Sequence, residues 1–162
     1  MFDLTGKTAL VTGASGGIGE AVARALYAQG AAVVLHGTRA EKLESLQKQL
    51  GDRAVALAVD LSDRDQSAGL IDAAAAIAGP ISILVNNAGI TRDGLLMRMK
   101  DDDWDAVLEV NMTASMSLCR AAMRGMMKAK NGRIISISSV VGLTGNPGQT
   151  NYAASKAGYD RL

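Results

Sequence analysis

Tyr152 and Lys156 are the pair in this sequence best suited to moving a proton. Four residues apart on a helix, they share one face about one turn from each other. A phenol ionises near pH ~10, and a neighbouring ammonium favours the phenolate, so such a pair can give or take a proton near neutral pH. The same spacing is common on solvated helix faces, so its meaning depends on what surrounds it. A second candidate lies near the start of the chain. Thr8–Thr12 reads as a short buried strand, Gly13-Ala14-Ser15-Gly16-Gly17-Ile18-Gly19 as a turn, and Glu20–Gln29 as a helix. Strand, glycine-rich turn and helix set a helix N-terminus against a phosphate, with glycines allowing close backbone approach to a pyrophosphate. The spacing is G-x-x-x-G-x-G rather than G-x-G-x-x-G, and a purely structural joint is the alternative.

Both candidates need a scaffold, and the chain alternates strand and helix throughout. Ala32–His36 is a second strand and Ala40–Leu50 a helix with Leu43, Leu46 and Leu50 on one face. An acidic residue at this strand end would bind ribose hydroxyls and repel a 2′-phosphate. The chain has Gly37-Thr38-Arg39 instead, and a hydroxyl with a guanidinium can hold a phosphate, which favours NADP. Arg39 as a merely solvated residue is the alternative. Ala54–Val59 is the third strand. Asp60 at its end either faces a ligand or caps the next helix, whose N-cap is expected at Ser62 with Asp63 just inside. That helix runs to about Ala78 and stops at Gly79-Pro80. Ile81–Val85 is the fourth strand, leading into Asn86-Asn87-Ala88-Gly89.

A long helix is expected from Asp102 to Ala129, its termini matched to the helix dipole by Asp101–Asp103 and by Lys128 and Lys130. Asn111 lies in its apolar middle, as a satisfied structural amide or as part of a site. Methionines 112, 116, 123, 126 and 127 suggest packing in the core or against another subunit. Arg133–Ser138 is the fifth strand, ending in Ser139. A glycine-rich loop, 142–148, leads to the helix of Tyr152 and Lys156. This order implies an α/β fold: a doubly wound, Rossmann-like parallel sheet with right-handed crossovers and helices on both faces.

Composition bounds the rest. The chain has 162 residues, 48% hydrophobic and 20% charged, which suits a single domain over 1–162. A net charge of +1 and 3% aromatics argue against nucleic acid as a partner. Cys119 is the one cysteine, so no internal disulfide is expected, and its plain reading is a small hydrophobe. His36, the one histidine, has no nearby partner ligands and reads as structural; no metal site is expected. No apolar run approaches the ~18 residues of a membrane span, and the first ten residues lack the apolar segment of a secretory signal. The expectation is a cytoplasmic protein.

Together, Thr12-Gly13-x-x-x-Gly17-Ile18-Gly19, Asn86-Asn87-Ala88-Gly89, Asn111, Ser139 and Tyr152-x-x-x-Lys156 resemble the short-chain dehydrogenase/reductase family in order and spacing, including thirteen residues from Ser139 to Tyr152. The resemblance covers residues 5–158. Within it, NNAGITRDGLLMRMK (86–100) and NPGQTNYAASKAG (146–158) are similar to the bacterial 3-oxoacyl-[acyl-carrier-protein] reductases of fatty-acid synthesis; sugar-alcohol and steroid dehydrogenases share most of the framework. The resemblance implies hydride transfer from NADP(H) to a ketone carbon. Tyr152 would protonate the oxygen, and Ser139, rather than its neighbour Ser138, would donate a hydrogen bond to it. Lys156 would hold the nicotinamide ribose, and Asn111 would position a water behind Lys156. It further implies that Gly13, Ser15, Gly16, Gly17, Ile18 and Gly19 hold the pyrophosphate. Thr38 and Arg39 would hold the 2′-phosphate, Asp60 and Leu61 flank the adenine, and Asn87, Ala88 and Gly89 line the adenosine side. Relatives often carry a basic residue where this chain has Gly16, so the 2′-phosphate would rest on Arg39. Implied partners are a 3-oxoacyl thioester, on an acidic acyl carrier protein that Arg124, Lys128, Lys130 and Arg133 could receive, and further copies of the chain in a tetramer.

Family members continue past the Tyr-Lys helix with two more strands, a substrate lid and much of a subunit interface. Their Lys-Ala-Gly-Met-Ile-Gly-Phe becomes Gly158-Tyr159-Asp160-Arg161-Leu162 if one base is inserted after the glycine codon. The expectation is a single-base insertion, with the sheet ending on an unpaired strand. An inactive nucleotide-binding fragment, or a dehydrogenase acting on another ketone or alcohol, are the alternatives to the reductase.

Overall fold

The computed structural model describes residues 2–159. Five strands, β1 (Thr8–Val11), β2 (Ala32–Gly37), β3 (Ala54–Ala58), β4 (Ile83–Asn86) and β5 (Arg133–Ser136), form one parallel sheet in the order β3-β2-β1-β4-β5. Such a sheet is apolar on both faces because crossover helices cover both. The alternation along β1 shows it: Ala9 and Val11 face one core, Leu10 the other. On the first side, helices α1 (Gly17–Ala28) and α2 (Ala40–Leu50) bring Ala23, Leu43 and Leu46 against Val33, Leu35, Ile83 and Val85. On the second, α3 (Arg64–Ala78) and α5 (Ala114–Ala129) bring Leu70, Ile71, Ala74, Leu118 and Met126 against Leu10, Val34 and Leu84.

The strand order reverses between β1 and β4, since β1 pairs with β2 on one side and β4 on the other. Chains leaving the two strands diverge there and open a crevice at their carboxyl ends, where ligands bind in such sheets. Thr12 and Asn87 pin its floor. Thr12 Oγ1 accepts from the backbone N–H of Asn87 at 2.9 Å and of Ala88 at 3.0 Å, and Asn87 Nδ2 donates to the Thr12 carbonyl at 2.9 Å.

Several boundaries differ from the sequence reading. Helix α1 begins at Gly17 rather than Glu20, so the last glycines of the turn form its first turn. The N-cap of α3 is Asp63, not Ser62: the Asp63 carboxylate accepts from the N–H groups of Asp65 and Gln66 at 2.9 and 3.1 Å, which holds its pKa below the usual carboxylate value. The expected helix 102–129 is helical throughout, but a π-helical turn, Glu109–Thr113, separates α4 (Asp101–Leu108) from α5. The loop expected at 142–148 begins with a short helix, α6 (Val141–Thr144), before α7 (Thr150–Tyr159). Of the methionines, Met126 is buried, whereas Met112, Met116, Met123 and Met127 are exposed. Among the described residues β5 pairs with β4 alone, leaving the expected open edge with Ile135 40% exposed. The shifted-frame reading falls largely on residues 160–162, outside those described.

Candidate active site

The crevice has a volume of about 410 Å³ and is lined by the turn from Gly13 to Gly19, by Gly37, Thr38 and Arg39, by Asp60 and Leu61, and by Asn87 to Ile90. The residues expected to hold the diphosphate, the 2′-phosphate and the adenosine are among them, whereas Lys156, expected at the nicotinamide ribose, is not. The turn is shaped for close approach. Gly13 has φ +68°, a conformation costly for side-chain-bearing residues, and a Cβ there would stand 2.8 Å from Asn87 Nδ2. A Cβ on Gly19 would stand 2.3 Å from the Gly13 carbonyl oxygen, so only glycine allows this packing of helix on strand. Gly16 caps α1 without a side-chain hydrogen bond, so the N–H groups of the first turn remain for an anion, aided by the positive end of the helix dipole. These features fit a bound diphosphate.

At the mouth, the Arg39 guanidinium donates to the Ser15 carbonyl at 2.6 Å and to Ser15 Oγ at 3.3 Å. It is therefore held beside the glycine turn rather than free in solvent. Asp60 does not cap α3: its carboxylate accepts from the Ser62 N–H at 2.9 Å, and the residue lines the crevice.

The crevice adjoins the π-helical turn and α7 at Gly89. A Cβ on Gly89 would stand 3.3 Å from Asn111 Oδ1 and 3.8 Å from Lys156 Nζ, so a side chain here would press on both groups. Asn111 is fully buried and fully satisfied. Its Oδ1 accepts from the Ile90 N–H at 2.8 Å, and its Nδ2 donates to the Ile90 carbonyl at 3.0 Å and to Ser155 Oγ at 3.1 Å. Ser155 Oγ donates in turn to the Tyr152 carbonyl at 2.8 Å. Asn111 is thus both a structural amide and a wall of the site. Its π-helical turn also leaves its own carbonyl to accept from Ser115 Oγ at 3.2 Å.

Lys156 is only 3% exposed and has no carboxylate partner among the described residues. Nζ donates to the Ile137 carbonyl at 2.8 Å, and burial pulls its pKa below the ordinary lysine value. Nζ stands 5.8 Å from the centroid of the Tyr152 ring. Ser139 ends the β5 arm, where its Oγ accepts from the Val141 N–H at 3.2 Å, while Ser138 Oγ donates to the Lys156 carbonyl at 3.3 Å. Ser138 therefore braces α7, and Ser139 is the hydroxyl left with an uncommitted proton. Tyr152, Lys156, Ser139 and Asn111 do not line the glycine crevice itself; Asn111 and Lys156 meet it at Gly89.

Three participants escaped the sequence reading of the site. Thr12 was legible only as a motif residue, Ser155 as a small hydroxyl inside the Tyr-Lys motif, and Ser115 carried no signal. The basic group of Arg124, Lys128, Lys130 and Arg133 is exposed, but it lies where α5 ends and β5 begins, at the opposite end of the sheet from the crevice. His36 is 1% exposed, with Nε2 3.2 Å from the Val59 carbonyl, and no cluster of metal-ligating side chains occurs among the described residues. The half-buried Cys119 thiol accepts from Asn86 Nδ2 at 3.2 Å and has its pKa raised by burial. No helix among the described residues is long and apolar enough to cross a membrane.

Comparison with known proteins agrees with this fold. The family model described as short chain dehydrogenase matches residues 7–162. The chain is 63% identical over 158 residues to nodulation protein G of Rhizobium sp. (strain N33), and 50% identical over 158 residues to a 3-oxoacyl-[acyl-carrier-protein] reductase of Rickettsia conorii. Each match covers 98% of this chain and 64% of the relative's length. A crystal structure of a protein assigned as a short-chain alcohol dehydrogenase, from Sinorhizobium meliloti 1021, superposes with a TM-score of 0.92 at 38% identity, over 98% of this chain and 64% of that one.

Proposed function

Given that the chain belongs to the short-chain dehydrogenase family, we propose that it serves the NADPH-dependent reduction of a 3-oxoacyl thioester, carried on acyl carrier protein, to the 3-hydroxyacyl form. The observation that carries this reading is the junction at Gly89, where a cradle shaped for a diphosphate adjoins Lys156, on the Tyr152 helix, and Asn111, in the π-helical turn. A nicotinamide cofactor held in the crevice would supply the hydride for the ketone carbon. The first turn of α1 and the Gly13–Gly19 backbone would hold the diphosphate, and Arg39 with Thr38 would hold a 2′-phosphate. As negative charge develops on the carbonyl oxygen, Ser139 Oγ donates to it and Tyr152 gives it a proton. The Lys156 ammonium, desolvated and aimed by Ile137, stabilises the charge left on the phenol and binds the ribose. Asn111 keeps Ile90 and α7 in register through its bonds to Ile90 and Ser155.

The reductase named in Rickettsia conorii supports the substrate, whereas the more similar nodulation protein G favours a second reading, a reductase acting on a different ketone or alcohol. The test is consumption of NADPH and of NADH by the purified protein with a short 3-ketoacyl thioester, beside fluorescence titration of both cofactors. Turnover with NADPH is expected. Tighter binding of NADH than of NADPH would sink the cofactor assignment, and turnover only with unrelated ketones would favour the second reading. Cofactor binding without any turnover would leave this chain a nucleotide-binding fragment.

A further inference from the structure

Tyr159 has no part in the proton transfer above, yet its side chain is buried against the site, with 5% of the residue exposed. It follows Lys156 by three residues on α7, so the two share a face. The Lys156 ammonium stands 4.7 Å from the centroid of its ring, closer than to Tyr152 and inside the ~6 Å range of a cation–π contact. The ring is also tethered. Tyr159 Oη and Ser115 Oγ are hydrogen-bonded, and Ser115 Oγ donates to the Asn111 carbonyl at 3.2 Å. A hydroxyl has one proton to give, so with the serine's proton on Asn111 the phenol must donate to Ser115. The ring is thereby anchored to the start of α5, and through Ser115 to the Asn111 carbonyl of the π-helical turn.

An ammonium offers three N–H groups. One is directed at the Ile137 carbonyl, and the Tyr159 ring covers a second side. We propose that Tyr159 is a positioning residue for Lys156: its anchored ring closes one side of the ammonium and turns the remaining N–H groups toward Tyr152 and Gly89. The electron-rich ring face also favours the charged over the neutral amine in a place where burial disfavours it. Among the described residues the other titratable groups facing the pair are Tyr152 on α7 and the Cys119 thiol on α5; neither supplies a fixed negative charge. The consequence for catalysis rests on the role given to Lys156 above, but the contact itself does not.

Unliganded protein labelled with ¹³C,¹⁵N-lysine provides the test, with Lys156→Arg used to assign the signal. Two quantities are read: the ring-current displacement of the Lys156 Cε protons and the pH midpoint of Nζ. In the wild type the Cε protons are expected upfield of the other lysines. Tyr159→Phe, which keeps the ring, should largely retain the displacement and the midpoint. Tyr159→Leu should abolish the displacement and lower the midpoint by about half to one pH unit, a three- to tenfold change in ionisation. No upfield displacement in the wild type would overturn the proposal, even if the leucine variant does not fold. Equal changes in the Phe and Leu variants would also overturn it, since the tether rather than the ring would then be what matters. Because neither readout needs cofactor or substrate, a protein without reductase turnover would sink the proposed function and leave this inference standing.

Discussion

Among the described residues Lys156 is a cation held without a counter-ion, and its surroundings account for why. A carboxylate beside it would pin the ammonium and cancel the charge that has to act on the phenol of Tyr152; a carbonyl and a ring hold it while leaving that charge in place. At this scale the functional reading makes two checks. Tyr152→Phe removes the proton donor and should lower kcat by about 10²–10⁴-fold, the usual contribution of a positioned general acid. NADPH affinity should be largely unchanged, and a variant retaining near wild-type kcat in stopped-flow reduction would remove Tyr152 from the chemistry. Gly19→Ala puts a methyl 2.3 Å from the Gly13 carbonyl oxygen, a backbone atom that cannot swing aside. The variant should lose about 1–3 kcal/mol of stability by urea denaturation and bind NADPH at least about tenfold more weakly; unchanged affinity would mean that the turn does not hold the diphosphate. Most of these residues were legible beforehand, because each is of a type and spacing that the chemistry demands. Tyr159 and Ser115 were not, since their roles arise from contacts across 44 residues of chain.

At the scale of elements, the agreement between expectation and fold follows from how strongly each segment is determined. Helix α2 matches its expected bounds, Ala40–Leu50, because a leucine stripe and the following Gly51 at φ +107° delimit it. The start of α3 was misjudged by one residue because Ser62 and Asp63 are both competent caps, and only the geometry showed which carboxylate or hydroxyl meets the free N–H groups. Asp63→Ala should therefore cost about 1 kcal/mol, read as a lower urea midpoint with unchanged m-value. Ser62→Ala should cost much less, and the reverse order would return the cap to Ser62. The π-helical turn at Glu109–Thr113 had no sequence signal, as its residues are ordinary helix formers. Its reason is tertiary: the extra residue swings Asn111 inward to Ile90 and Ser155.

Across the whole molecule, the sheet is organised around one reversal of strand order, and the site is where that reversal leaves space. Stability should carry the imprint of one buried base. His36 has its pKa lowered to about 4, chiefly because burial disfavours the imidazolium, against 6.5 in the unfolded chain. As pH falls below 6.5 the unfolded chain binds a proton that the folded chain refuses until about pH 4, so stability decreases across that window, by up to about 3 kcal/mol. Urea denaturation at steps between pH 7 and 4 should show the decline, and His36→Gln, which keeps a donor toward Val59, should flatten it. An equally steep decline in the variant would assign it to other groups. The amino-acid sequence by itself determined the family, the parallel α/β class, the glycine turn and the Tyr-Lys pair, because local periodicity and the backbone demands of a phosphate cradle are written in consecutive residues. The tertiary structure alone decided which hydroxyl braces α7 and which stays available, that Asn111 is both satisfied and part of the site, that the basic group lies at the far end of the sheet, and that Lys156 rests on a second tyrosine. Those outcomes depend on directions and burial set by elements distant in the chain, which no local pattern encodes.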